Sequence, residues 1–207
     1  RRARPVAAAL PERLDRTGES RWVAQLASIL GRKFTRQVLA FIHEDEGELD
    51  ERLEALISAG VLERSSTERG TFSFRHALIQ KAAYESLLKS TRRKYHERVA
   101  NVLATLPDST HAYPPELLAQ HFTLAGLHER AVPLWLEASG TSLRRSANVE
   151  ACAQAEEGLS CIRELGSAPA FHQVELMLHT MKGMALIAAR GWSVSEVGEA
   201  FARAAAI

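Results

Sequence analysis

Along this 207-residue chain, apolar residues recur at intervals of three and four over most of the length and alternate at two in one place only. The first spacing gathers apolar side chains on one face of a helix, the second on one face of a strand. Pro5 to Arg16 reads as a short helix with Leu10 and Leu14 on one side, and Arg21 to Gly31 as a second helix carrying Val23, Leu26, Ala27 and Leu30. Thr35 is placed to cap a third, through Val38, Leu39 and Ile42. Glu48 to Ala59 forms a fourth, with Leu49, Leu53, Leu56 and Ile57 on one face and Gly60 as its stop. The period then changes. Val61–Ser65 and Thr71–Arg75 flank a polar turn from Ser66 to Gly70, and Phe72 and Phe74 share one face of the second arm, which predicts a β-hairpin.

A helix from His76 to Lys89 follows, and from Thr91 onward every segment is predicted helical. Tyr95, Val99, Val102, Leu103 and Leu106 form one stripe. Pro115 to Ala125, Glu129 to Ser146, Val149 to Leu165 and Ala170 to Arg190 come next, joined by short turns, and a last helix follows Gly191-Trp192-Ser193. Pro115 suits a first helical turn, and Asn148 is expected to cap the helix it precedes. Helices followed by one hairpin are the order of a winged-helix domain. The later antiparallel pairs have the look of stacked tetratricopeptide-like repeats: Leu118, Ala119, Phe122, Ala131, Trp135 and Ala138 alternate small and large at the spacing of that pattern. A looser copy runs through Gly183, Leu186, Val197, Phe201 and Ala204, and the helix from Val149 supplies Ala151, Ala155 and Gly158. The expected class is thus mainly α: a winged-helix domain with one β-hairpin at residues 1–90, a linker helix and loop at 91–114, and a tetratricopeptide-like α-α superhelix at 115–207.

Composition is that of a globular protein, 46% hydrophobic and 25% charged, and the formal net charge of +1 gives no global pull toward nucleic acid or an anionic membrane. Arg1 at the start and the apolar run to Ile207 at the end read as cut edges of a longer polypeptide, without a signal peptide or a span long enough for a bilayer. Cys152 and Cys161 lie nine residues apart on one predicted helix, too far to bridge, and are expected to be reduced, buried thiols in a cytoplasmic protein. The sequence holds no phosphate-binding Gly-Lys-Ser/Thr loop, no His-Glu-x-x-His and no Gly-x-Ser-x-Gly. His172 and His179 fall seven apart on one helical face, an interval that serves packing as easily as metal ligation, and no supporting third group accompanies them. Neither catalysis nor a metal is expected of this chain.

Two basic clusters, Arg92-Arg93-Lys94 and Arg144-Arg145, raise nucleic acid as a partner, but the helix before the hairpin is acidic, with Glu48, Asp50, Glu51 and Glu54. Those carboxylates would repel a phosphate backbone, and Glu68 beside Arg69 leaves the hairpin tip neutral, so DNA is not the expected partner. Nor is a membrane. The Arg92 cluster fits acidic groups of a neighbouring domain better. The run from Phe72 to Tyr84 carries the most information: a strand leading straight into a helix sets His76 beside free backbone N–H groups, where it either simply caps or packs or meets an anion held by another domain.

Phe74-Arg75-His76-Ala77-Leu78-Ile79-Gln80, with Ala83-Tyr84-Glu85-Ser86-Leu87-Leu88, resembles the end of the winged-helix region of STAND-type signalling ATPases. More closely, it is similar to bacterial proteins that join a class III adenylate/guanylate cyclase domain to such an ATPase and a tetratricopeptide tail. Leu10 through Arg16, Ile29 through Phe34, Leu49 through Leu62, Pro115 through Phe122, and Ala125-Gly126 with Arg130 through Trp135 agree with the resemblance. It implies a non-catalytic regulatory and signal-transduction module. The resemblance carries a role onto His76 only, which would contact the phosphates of a nucleotide in the preceding ATPase domain; Arg75, Arg92 and Arg93 are expected beside it as interdomain contacts on their position and charge. ATP or ADP and Mg would belong to the longer parent, not to this chain, and its partners would be that upstream nucleotide-binding domain and a protein or peptide on the repeats. The chain departs from plant and animal relatives in having Ala77 where they follow the His with Asp. The rival expectations are the regulatory region of an ATP-dependent transcription activator and a freestanding helical interaction scaffold.

Overall fold

The computed structural model describes residues 17–43, 47–105, 113–166, 169–193 and 195–207. It is mainly helical, with one small antiparallel sheet, and it divides into two compact units, Arg1–Thr105 and Leu106–Ile207. The predicted helix from Pro5 to Arg16, with Leu10 and Leu14, lies outside the described residues, as do most of the loop before Pro114 and Leu106 of the predicted stripe.

In the first unit the order is α1 (Arg21–Leu30), β1 (Lys33–Thr35), α2 (Arg36–Ile42), α3 (Leu49–Ser58), β2 (Leu62–Arg64), β3 (Thr71–Phe74), α4 (Ala77–Glu85) and α5 (Lys89–Thr105). Thr35 caps α2, its hydroxyl accepting from the Val38 N–H at 3.3 Å. Leu49, Leu53 and Leu56 of α3 are buried, Ile57 is half-buried, and Gly60 takes the left-handed φ of +71° that turns the chain into β2.

The sheet is larger than the predicted hairpin. β1 joins it as a third strand, giving the order β1-β3-β2, with Phe34 opposite Phe72 and Leu62 opposite Phe74. Phe34 stacks on Phe72 and tilts against Phe74, both at 6.1 Å, so three rings seal the sheet against the helices. β1 escapes a periodicity reading because it has three residues and a single buried one, Phe34, between exposed Lys33 and Thr35.

The helix expected within the linker from residue 91 runs as α5 from Lys89 to Thr105. α5 belongs to the first unit: His96, Val99, Ala100 and Leu103 are buried, and α5 packs on both α1 and α2. The buried His96, paired with Tyr84, makes a packing position of a residue that reads as polar in sequence.

The second unit is a succession of helices: α6 (Pro115–Ala125), α7 (His128–Arg144), α8 (Asn148–Glu164), α9 (His172–Arg190) and α10 (Ser195–Ala205). Each packs on the next, and α7 also touches α9. Pro115 opens α6 as expected, while Asn148 is the first residue of α8 and makes no side-chain cap. Gly126, at φ +79°, closes α6; its N–H and that of Leu127 return to the Thr123 and Phe122 carbonyls at 2.9 Å. Ala119, Phe122, Ala131, Trp135 and Ala138 are all buried.

Small residues set how closely these helices approach. A Cβ on Gly158 would sit 2.9 Å from a Leu178 methyl and 3.1 Å from the Trp135 Cβ, and one on Gly183 would sit 2.8 Å from the Phe201 ring. Both cysteines lie on α8 as free thiols. Cys161 is buried, whereas Cys152 is only half-buried, and burial raises the pKa of each. Among the described residues no helix is long and apolar enough to cross a membrane.

Gly158→Ala is expected to destabilise the chain by about 1–3 kcal/mol, because the new methyl meets the backbone-fixed Trp135 Cβ at 3.1 Å and the fully buried Leu178, a clash that outweighs the gain in helix propensity. Gly198→Ala, in a helix with nothing within 4 Å of the new methyl, should instead stabilise it by roughly 0.5–1 kcal/mol through helix propensity. Urea unfolding of the two variants tests the contrast, and equal signs would refute it. A second prediction concerns pH. Burial lowers the pKa of His121 from 6.5 to about 4. Unfolded, the imidazole takes up a proton near pH 6.5; folded, it resists until about 4. Its contribution to stability is therefore complete above pH 6.5 and is lost as pH falls through that window, about 3 kcal/mol in all. His121→Gln should flatten that part of the stability-versus-pH curve, and an unchanged slope would contradict the assignment.

Candidate functional site

β3 ends on Phe74 and α4 turns its first buried side chain inward at Ile79, both at 0% exposure. The four residues between them, Arg75, His76, Ala77 and Leu78, are all exposed. The backbone of this corner is held on both sides. Phe74 N–H donates to the Arg32 carbonyl at 2.9 Å and Arg75 N–H to the Val61 carbonyl at 3.1 Å, so the strand stays bonded to its last residue. His76 is extended (φ −137°, ψ 138°), and its carbonyl accepts from the N–H groups of Ile79 and Gln80. It is the N-cap of α4 by backbone alone. The imidazole makes no capping bond and stays available. Beyond it, the first N–H groups of α4 carry the positive end of the helix dipole, and the Arg75 guanidinium adds a full charge next to them in sequence.

α4 is fixed in place by both packing and hydrogen bonds. Ile79 and Ala83 face the core. Gln80 Nε2 donates to the Ser28 carbonyl and Gln25 Nε2 to Ser86 Oγ, each at 2.9 Å, which ties α4 to α1 at two levels. Tyr84 Oη lies 3.1 Å from His96 Nε2, with the two rings edge to face. Arg92 completes this joint: its Nε donates to the Leu87 carbonyl at 3.0 Å and its guanidinium lies 4.9 Å over the Tyr84 ring.

The four residues singled out in the sequence therefore divide into two pairs. Arg75 and His76 sit at the start of α4 and are exposed. Arg92 and Arg93 lie past its far end, roughly 13 Å of helix away. Arg93 is exposed, whereas Arg92 is half-buried and occupied within its own unit. Two further residues enlarge the candidate surface, Leu78 at 56% and Leu88 at 74% exposure. Leu78 had a legible signal, since it falls out of phase with the Ile79 and Ala83 stripe.

The acidic helix α3 is not a bare run of charge. Arg36 makes a bidentate pair with Asp50 at 2.6 and 2.7 Å, Arg64 bonds Glu54, and Arg52 pairs with Glu48 at 2.7 Å. The Arg36 guanidinium holds the Asp50 carboxyl below its ordinary pKa. Lys33 pairs with Glu68 at 2.8 Å at the hairpin tip. The arginines bordering this face are thus engaged by carboxylates. Among the described residues no group of three or more His, Cys, Asp or Glu side chains is placed to hold a metal ion; His172 is exposed and His179 half-buried on α9.

No family model and no solved structure matches the chain. It is 30% identical over 187 residues to an uncharacterized protein of Rhizobium meliloti (strain 1021), an alignment covering 89% of this chain and 18% of that protein. The similarity is long enough to take in both units. The chain spans less than a fifth of the length of this relative.

Because the His76 imidazole is exposed and caps nothing, His76→Ala should leave stability within about 0.5 kcal/mol. Tyr84→Phe, which removes a bond to a buried imidazole, should cost about 1–2 kcal/mol. Denaturant unfolding of both variants checks the pair; a large loss in His76→Ala would make that residue structural.

Proposed function

We propose that this chain is a regulatory module of a STAND-type signalling ATPase, of the kind linked to a class III nucleotidyl cyclase. In this reading the first unit is a winged-helix domain and the second a run of tetratricopeptide-like repeats. The chain couples a binding event on the repeats to the nucleotide state of an upstream ATPase domain. The order α1-β1-α2-α3-β2-β3, with an antiparallel sheet ordered β1-β3-β2, supports the winged-helix assignment, and the loop from Ser65 to Gly70 is then the wing. The burial of Ala119, Phe122, Ala131, Trp135 and Ala138 supports the repeat assignment.

The observation that carries the reading is the corner at Arg75 and His76. An exposed imidazole and guanidinium stand at the positive end of a helix that is itself anchored to α1 and α5. Such a corner can contact a nucleotide phosphate presented by another domain without rearranging its own core. The regulatory cycle is a two-state docking equilibrium. Contacts from His76 favour the closed, nucleotide-bound form, and a ligand on the repeats favours the open one. This chain performs no catalysis in that cycle; ATP or ADP with Mg, and any cyclase output, belong to the longer polypeptide. The charge pairing on α3 favours a protein-facing role over DNA for the winged helix.

His76→Ala in the full-length protein should raise basal activity or speed nucleotide release by about fivefold or more, the scale of a typical interdomain coupling. Nucleotide retention measured by filter binding tests this, and an unchanged release rate would contradict the switch role.

A further inference from the structure

Between α6 and α8 the second unit leaves an open groove of about 440 Å³, floored by Trp135 of α7. Leu117 and Gln120 line one side and Ala153 and Gln154 the other, so that its exposed surface is mostly apolar with polar groups at the edges. The floor is rigid: the Trp135 indole N–H donates to Thr123 Oγ1 at 3.0 Å, and that hydroxyl in turn donates to the Ala119 carbonyl at 2.9 Å. One wall is braced as well, since Ser142 Oγ donates to Gln154 Oε1 at 2.7 Å. A preformed apolar groove of this kind gains by accepting an apolar side chain, because little of its own structure must be ordered on binding.

The rim decides the charge of what enters. Glu116 stands on the α6 side and Glu157 on the α8 side, and no lysine or arginine lines the groove. Glu150 falls seven residues before Glu157 on the same stripe of α8, and both are exposed. None of these three carboxylates has an ion-pair partner among the described residues. Asp50, Glu68 and Glu156, also exposed, are by contrast each matched by a cation of the chain itself.

We propose that this groove docks a cationic–aliphatic segment of a partner protein, with an aliphatic side chain seated over Trp135 and lysine or arginine residues reaching Glu116 and Glu157. The proposal rests on the reading of the repeats as the ligand-binding part and names the chemistry of that ligand. It is tested on the intact chain with two capped hexapeptides, each with a central Leu-Leu, one flanked by lysines and the other by glutamates. The lysine peptide should shift the Trp135 indole N–H resonance. Calorimetry should show its affinity falling about fivefold in Glu116→Gln/Glu157→Gln, since two exposed ion pairs are lost, and falling likewise in high salt. Ala153→Trp, which fills the groove from an exposed position, should abolish binding while leaving the fold intact. Equal or tighter binding of the glutamate peptide at Trp135 overturns the proposed charge preference but leaves the repeats as a ligand-binding surface. Failure of both peptides to shift Trp135 overturns the groove as a docking site. Neither result bears on nucleotide release in His76→Ala, so the two readings fail separately.

Discussion

Phe74 and Ile79 are both fully enclosed, and only four residues join them. In that distance the chain must leave a strand whose last N–H groups are bonded, reverse from a period of two to one of 3.6, and start a helix. No side chain between the two anchors can reach the core without breaking one of them. Arg75 and His76 are therefore presented outward by the packing of their neighbours rather than by any bond of their own. The rest of the first unit reinforces this corner. The three rings of Phe34, Phe72 and Phe74 fix the strand, while Gln25, Gln80 and Tyr84 fix the helix. The corner is thus held by the core beneath it on both its strand side and its helix side.

The second unit solves a different problem. Its helices are joined by turns of a few residues and must lie close together, so the seams are made of glycine and alanine facing large side chains. Gly158 against Leu178 and Trp135, and Gly183 against Phe201, leave no space for a methyl group. Ser139, buried on such a seam, is satisfied across it, its Oγ donating to the Ala151 carbonyl. The groove between α6 and α8 remains open above Trp135, with Glu116 and Glu157 at its rim.

Much of this was legible in the amino-acid sequence because it depends on local spacing. The helices of the second unit, the Gly60 stop, the Pro115 start, the Thr35 cap and the strand–helix corner all follow from neighbours within a few residues. What escaped depends on contacts distant in the chain. β1 is a strand only because Phe34 finds Phe72 and Phe74 nearly forty residues on. α5 reads as a linker until His96 meets Tyr84, and Arg92 reads as a free cation until it is seen over the same ring. Asn148 was expected to cap α8, yet the backbone enters the helix one residue earlier. The groove over Trp135 was invisible for a similar reason, because its two walls come from helices some thirty residues apart.

In the proposed longer polypeptide, the decisive feature is where the His76 imidazole points. A structure of that polypeptide with bound nucleotide would measure it directly. The account predicts a ring nitrogen at about 3 Å from a phosphate oxygen, hydrogen-bond distance, with Arg75 facing the same interface. An imidazole open to solvent, with the nucleotide closed off by other groups, would contradict it.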